Sequence, residues 1–388
     1  MIVQVYAVRA SESYNKVNSM PVNDDQPRLI DTQKDLDDLC ATISTARHIG
    51  CDTEFVRTQT YWPQLCLVQI ATETESACID VLAAIDTSEF RRLMLAHPEP
   101  LVLHAVKQDL EAWFATWQEL PTAVFDIQIA AGLLGFQPQI GYGNLVRELL
   151  DITLDKDQTR TDWSRRPLTS AQIHYAADDV KYLQQMHDIM RTRLGECGRY
   201  DWAVADSADL VEPSLYDTPP QDAWQRLSGI PYLPVAVQAR ARALAVWREA
   251  RAKRANRPRQ WILADKALMQ IAHSNPQRSD DLHEIAELPS GLVRKQGGNI
   301  LRTVRQANDD LANGLEDFTQ KPVPVPPDKK KIQKLSAIVR ETAQELNIAP
   351  ELLATRRDIM GIVNGYDDSR ALKGWRKEVI GDRLLAGC

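Results

Sequence analysis

Asp52 and Glu54 stand two residues apart in the run Cys51-Asp52-Thr53-Glu54-Phe55, otherwise apolar in character. Alternate side chains of an extended strand share a face, so this spacing aims both carboxylates the same way. Like charges on one face of a buried strand are costly unless a cation neutralises them. Oxygen donors of this kind suit Mg²⁺ or Mn²⁺. Two further acids hold comparable positions. Asp109 follows Leu101-Val102-Leu103-His104 and falls in the first turn of the next expected helix, where a carboxylate is favoured. Asp179 comes four residues after Tyr175, a spacing that stacks the two on one helix face.

Four such carboxylates could hold two divalent cations roughly 4 Å apart and hydrolyse a phosphodiester. On that reading Asp52 bridges both ions, Glu54 and Asp179 complete the first, and Asp109 supports the second. Tyr175, with an unperturbed pKa of about 10, is suited to aiming the attacking water and not to acting as a bulk base. Each residue has a plainer reading. Asp52 and Glu54 could be strand-end acids reaching solvent, and Asp109 a helix-start charge; their company carries the functional reading. His174 lies five residues before Asp179, which turns it about 140° off the face that Tyr175 misses by about 40°.

The elements that would position these residues alternate from residue 28 to about 114. Strands are expected at 28–30, 48–55, 65–72, 76–81 and 101–104, and helices at 32–46, 90–96 and 108–117. The three middle strands are too close in sequence for crossover helices, so they should be antiparallel neighbours. Beyond Phe125 the pattern is helical throughout, with 169–194 the longest run. This is an α/β layer arrangement. Prolines at 212–220 and in Lys321-Pro322-Val323-Pro324-Val325-Pro326-Pro327 suggest linkers. The segments they delimit echo each other. Pro258 ahead of Leu263-Ala264 matches Pro350 ahead of Leu353-Ala354, and Arg294-Lys295 matches Arg376-Lys377. Offsets of roughly 80 to 90 residues suggest a duplicated helical module.

The 388 residues, 44% hydrophobic and 26% charged, fit a multidomain globular protein. There is no membrane-length apolar run. The cysteines Cys40, Cys51, Cys66, Cys78, Cys197 and Cys388 lack CxxC or zinc spacing and read as reduced thiols of a cytoplasmic protein. A net charge of −7 argues against a uniformly basic nucleic-acid binder. Residues 239–259, however, carry eight cations against Glu249 alone, a possible phosphate footprint. Gly297-Gly298 beside Lys295 could open a helix and hold a phosphate. Residues 1–27 suggest no function.

The ordered set of D-x-E, Asp109 and Y-x-x-x-D resembles the DEDD exonucleases of the tyrosine-bearing subgroup; His174 has the spacing of the histidine-bearing one. Leu67-Val68-Gln69-Ile70, and Thr161-Asp162-Trp163-Ser164-Arg165-Arg166-Pro167 leading into Tyr175-Ala176-Ala177-Asp178-Asp179, narrow the likeness to the ribonuclease D family. The resemblance implies an RNase H-like mixed-sheet exonuclease domain at 26–208, an HRDC helical domain at 216–315 and a second HRDC-like module at 328–388, after an N-terminal extension at 1–25. It implies a 3′–5′ exoribonuclease that releases nucleoside 5′-monophosphates, with tRNA precursors the leading substrate and a monomer the favoured state. Asp52, Glu54, Asp109 and Asp179 would hold two Mg²⁺ or Mn²⁺ ions, with Tyr175 catalytic. Phe55, Gln69, His104, Arg165 and Arg166, with Arg160 nearby, are the candidate substrate contacts. A DNA 3′–5′ exonuclease and a non-catalytic RNA-binding scaffold are the rival readings.

Overall fold

The computed structural model describes residues 27–154, 161–315, 319–320 and 328–388. The N-terminal extension, Arg160 and the linker at 321–327 lie outside these residues. The first part of the chain runs β1 (Arg28–Ile30), α1 (Gln33–Ile43), β2 (Gly50–Val56), β3 (Gln64–Ala71), β4 (Ser76–Asp80), α2 (Ser88–Leu95), β5 (Leu101–Leu103) and α3 (Lys107–Trp117). It continues through β6 (Val124–Asp126), α4 (Ile127–Leu133), α5 (Tyr142–Leu150), α6 (Ser170–Lys181), α7 (Leu183–Glu196) and α8 (Tyr200–Ala208). One six-stranded sheet results, in the order β1-β4-β3-β2-β5-β6. The strands β2, β3 and β4 pair antiparallel, as their short connections require, while β5 and β6 run parallel to β2.

Helices cover both faces. Leu36, Leu39, Phe90 and Trp113 pack one side, and α4 to α8 pack the other. Even-numbered residues of β2 face α6 and α7. A Cβ on Gly50 would meet Leu183 Cβ at 3.2 Å and the Val180 carbonyl at 3.4 Å, so the α6–α7 corner passes this close only over a bare backbone.

Three sequence expectations change here. Val124–Asp126 is a sheet strand, because three fully buried residues complete the parallel edge without needing a periodic pattern. The expected single run at 169–194 breaks at Tyr182, whose backbone N–H donates to the Tyr142 hydroxyl. The longest helices lie further along. The proline segment at 212–220 is pinned, not a free spacer: a short 3₁₀ turn at Pro213–Leu215 leads into Tyr216, which is buried against Phe114 and donates to the Leu210 carbonyl.

The helical region then begins with α9 (Val235–Ala255), α10 (Arg259–Ile262), α11 (Asp265–Ser274), α12 (Ser279–His283) and α13 (Ser290–Ala312), around their own apolar core. It ends with α14 (Lys329–Leu346), α15 (Pro350–Leu353), α16 (Arg356–Val363), α17 (Gly374–Arg376), a π-helical turn at Lys377–Gly381 and α18 (Asp382–Gly387). The order repeats in detail. Each long first helix ends on a left-handed asparagine, Asn256 at φ 46 and Asn347 at φ 50. A four-residue helix follows each, then one extended residue, Leu263 or Ala354. The last part shares a continuous core with α4 to α8. Among the described residues no helix is long and apolar enough to cross a membrane.

The geometry bears on two phosphate-binding expectations. Gly297 and Gly298 sit inside α13, where their N–H groups serve the helix; Gly297 is there for close packing against Leu282 and Val293. Four of the eight cations in the basic window at 239–259 are tied up internally. Arg240 donates to the Ala272 carbonyl and Asn308, and Arg248 to the Leu263 carbonyl and Asp265. Lys253 bonds Asp217 and the Thr218 carbonyl, and Arg259 pairs with Glu249. Small helical bundles leave helix-end carbonyls unsatisfied, and arginines answer them.

Candidate active site

The site forms where β2 outruns its neighbour. Pairing of β2 with β5 is confined to Gly50 and Val102, because β5 stops at Leu103. The chain then turns through Ala105, at the left-handed φ of 58, into α3. Asp126 holds this turn. Its carboxylate accepts from the N–H groups of Ala105 and Val106, each at 3.1 Å, and also caps α4. Asp109, third residue of α3, is thereby brought to β2, where its Oδ1 accepts from the Thr53 hydroxyl at 2.6 Å.

From the opposite side α6 supplies Tyr175 and Asp179. A reciprocal Thr169–Gln172 capping box starts this helix, and the Tyr142 hydroxyl donates to the Asp178 carbonyl at its end. The Tyr175 hydroxyl hydrogen-bonds the Asp179 carboxylate. His174 instead bonds the Ser170 carbonyl of its own helix at 2.7 Å.

Asp52, Glu54, Asp109 and Asp179 thus come from three separated stretches into mutual electrostatic contact. Burial, then the charges of Asp109, Asp179 and Glu54, pushes the Asp52 carboxyl well above the usual range. Burial, then Asp179 and Asp109, lifts Glu54 to about 8. Burial lifts Asp109 to about 7 although the Thr53 hydroxyl opposes it, and Asp179 to about 7 although Tyr175 opposes it. Burial and the neighbouring acids raise the Tyr175 phenol too, so it keeps its proton. An all-oxygen donor set whose members suffer from one another's charge fits hard divalent cations.

That electrostatic cost has a sign. Carboxyls near 4 in the unfolded chain and raised in the fold destabilise it progressively as pH climbs from about 4 through 7 to 8. Thermal unfolding in EDTA should therefore show a midpoint that falls between about pH 5 and pH 8. Millimolar Mg²⁺ should flatten most of the decline; an equal decline with the ion present would contradict the assignment.

The candidate substrate contacts separate into different fates. Arg165 is 84% exposed and loosely paired with Asp162 at 3.3 Å, so most of its donors face solvent. Arg166 is a structural tie: it grips both Asp80 oxygens, at 2.5 and 2.6 Å, and donates to the Trp163, Arg165 and Cys66 carbonyls. Gln69 stands opposite Asp52 on β3 but is fully enclosed, its amide without a partner. His104 is bonded to the Ile140 carbonyl at 2.9 Å and stacked edge-on with Tyr142. Phe55 follows a bulge in β2 and packs toward the α1–α3 core. Sequence reasoning missed Asp126, Tyr142 and Thr53. The N-cap spacing of Asp126 is legible locally; its grip on the β5–α3 turn is not, and Tyr142 carries no local signal.

A mixed sheet whose inner strand presents two acids to a third behind it and to a tyrosine-aspartate helix defines a 3′–5′ exonuclease domain. A family profile described as 3′–5′ exonuclease matches residues 27–195, and an HRDC domain profile matches 237–304. The ribonuclease D of Gluconacetobacter diazotrophicus is 37% identical over 369 residues, covering 93% of this chain and 92% of that protein. That of Sphingobium indicum is 38% identical over 364 residues, covering 91% and 92%. The crystal structure of Escherichia coli RNase D, described as an exoribonuclease involved in structured RNA processing, superposes with a TM-score of 0.86 at 28% identity. It covers 93% of this chain and 98% of its own. The catalytic core of RRP6 from Trypanosoma brucei, at 22% identity and a TM-score of 0.56, shares the fold. The chain belongs to the ribonuclease D family. It is a 3′–5′ exoribonuclease, a divalent-metal-dependent hydrolase.

Proposed function

We propose that the protein trims RNA from its 3′ end one nucleotide at a time, using two Mg²⁺ or Mn²⁺ ions and releasing nucleoside 5′-monophosphates. The observation that carries this reading is the convergence of Asp52, Glu54, Asp109 and Asp179 with mutually raised carboxyls. Among the described residues, no three of these acids bring oxygens within 4.8 Å of one another. Loading an ion between Asp52, Glu54 and Asp179 would therefore draw their oxygens closer together. Bound there, the ions supply Lewis-acid activation of water and stabilisation of the leaving oxygen.

The chain's own residues do the positioning. Asp52, which feels the charges of the other three acids, would be shared between the ions, with Glu54 and Asp179 holding one and Asp109 the other. Thr53 and Asp126 hold Asp109 in place. Tyr175 keeps its proton and orients the attacking water by hydrogen bonding. Arg165, exposed and only loosely paired with Asp162, keeps donors available for the phosphate of an approaching strand.

Tyr175→Phe should therefore lower kcat by about 10²-fold with little change in KM. His174→Ala should be nearly neutral, since its ring serves only its own helix. Steady-state kinetics on a single-stranded oligonucleotide distinguishes them, and the reverse ranking would reassign the subgroup. We take tRNA precursors as the substrate and the monomer as the working form, with the second helical module an HRDC-like element that lengthens the grip on folded RNA. Matched RNA and DNA strands, degraded side by side, test the choice of RNA: equal rates would favour the DNA exonuclease reading, because only contacts to the 2′-OH separate the two.

A further inference from the structure

Upstream of the catalytic acids, the same strand run meets a second cluster of ligating side chains. His48 lies two residues before the start of β2, in phase with Gly50 and Asp52 and roughly 13 Å along the chain from Asp52. His187 and Asp188 are neighbours on α7. Adjacent helical residues normally diverge, yet His187 Nδ1 and Asp188 Oδ1 bend together to 3.7 Å. The two imidazole rings lie 5.1 Å apart between centroids, and His187 is steadied edge-on by Phe125 at 4.8 Å. One ligand atom from each of His48, His187 and Asp188 falls within 4.8 Å of the others.

Apart from the 3.7 Å approach of His187 Nδ1 to Asp188, the imidazole nitrogens of this cluster are little used. His48 is 7% exposed and His187 4% exposed. Neither ring nitrogen of His48 has a hydrogen-bond partner, and His187 Nδ1 has none. A buried, unpaired imidazole nitrogen bears its desolvation without return. Burial, then the neighbouring His187, keeps His48 below the usual imidazole range and so in the neutral form that ligates metals.

We propose that His48, His187 and Asp188 bind one borderline transition-metal ion, Zn²⁺ being the fitting occupant, at a site separate from the catalytic carboxylates. Two imidazoles and one carboxylate are a nitrogen-rich set that prefers Zn²⁺ to the hard ions suited to the catalytic acids. A tetrahedral ion holds its ligands about 3.3 Å apart, so small side-chain rotations would close the three around it. Solvent takes the fourth position on the side where Asp188 is 68% exposed. The ion would clamp α7 to the entrance of β2, the strand that carries Asp52 and Glu54.

Equilibrium dialysis of the full chain against micromolar Zn²⁺ in millimolar Mg²⁺, with bound zinc counted by atomic emission, tests this. One retained equivalent is expected, together with a rise in unfolding temperature on adding Zn²⁺. His187→Gln and Asp188→Asn should each weaken retention at least tenfold, whereas Asp52→Asn should keep it. Asp188 is on the surface, so its variant reads the site without disturbing the core. No retained zinc, unchanged retention in Asp188→Asn, or loss in Asp52→Asn would each overturn the proposal.

Discussion

Asp52→Asn should depress Mg²⁺-dependent nucleotide release by about 10³-fold or more, the rate equivalent of roughly 4 kcal/mol. The same substitution should leave the metal-free protein at least as stable as the parent. Asp52 sits among three other acids, and burial with their charges already disfavours its ionised form. An uncharged amide of the same shape removes that repulsion along with the ion's bridging ligand. Activity and stability should therefore move in opposite directions. Release of mononucleotides from a labelled oligonucleotide, beside thermal unfolding in EDTA, reads both. Residual activity within tenfold of the parent, or a substantially destabilised metal-free protein, would contradict the role given to this residue.

Asp206→Ala should destabilise the protein by about 3–5 kcal/mol, the range for stranding one partner of a buried ion pair. Asp206 on α8 accepts both Arg376 guanidinium N–H bonds at 2.6 Å and the Trp375 indole N–H at 3.0 Å. Trp375 stacks on Trp202, with centroids 4.2 Å apart and planes within 4°. Arg199 crosses the same boundary, donating to the Leu133 and Leu346 carbonyls. Since α14 to α18 share one apolar core with α4 to α8, a loss here reaches the exonuclease domain. Pairing Asp206→Leu with Arg376→Met should restore much of the stability, because no charge is then left buried alone. Urea unfolding of the single and double variants decides it; a change below about 1 kcal/mol in the single variant would mean that the pair is not what holds the module.

The chemistry of the site was the most legible feature because its signals are local. Period-two spacing joins Asp52 to Glu54, and a helical step of four joins Tyr175 to Asp179. The antiparallel run of β2, β3 and β4 followed from connections too short to cross over. Long-range partnerships left no such trace. Counting cations in 239–259 could not reveal that Arg240, Arg248, Lys253 and Arg259 answer internal carbonyls and acids. Arg166 resembles a phosphate ligand until Asp80, 86 residues away, is seen to occupy it. The strand Val124–Asp126 is too short to show a period. Trp202 and Trp375 are unremarkable apart from each other.

Diffraction from crystals soaked in Mn²⁺, recorded with anomalous scattering, tests the central claim most directly. The account predicts two peaks about 4 Å apart between β2, α3 and α6, ligated among Asp52, Glu54, Asp109 and Asp179. Manganese bound elsewhere, with these carboxylates left free of any ion, would contradict it.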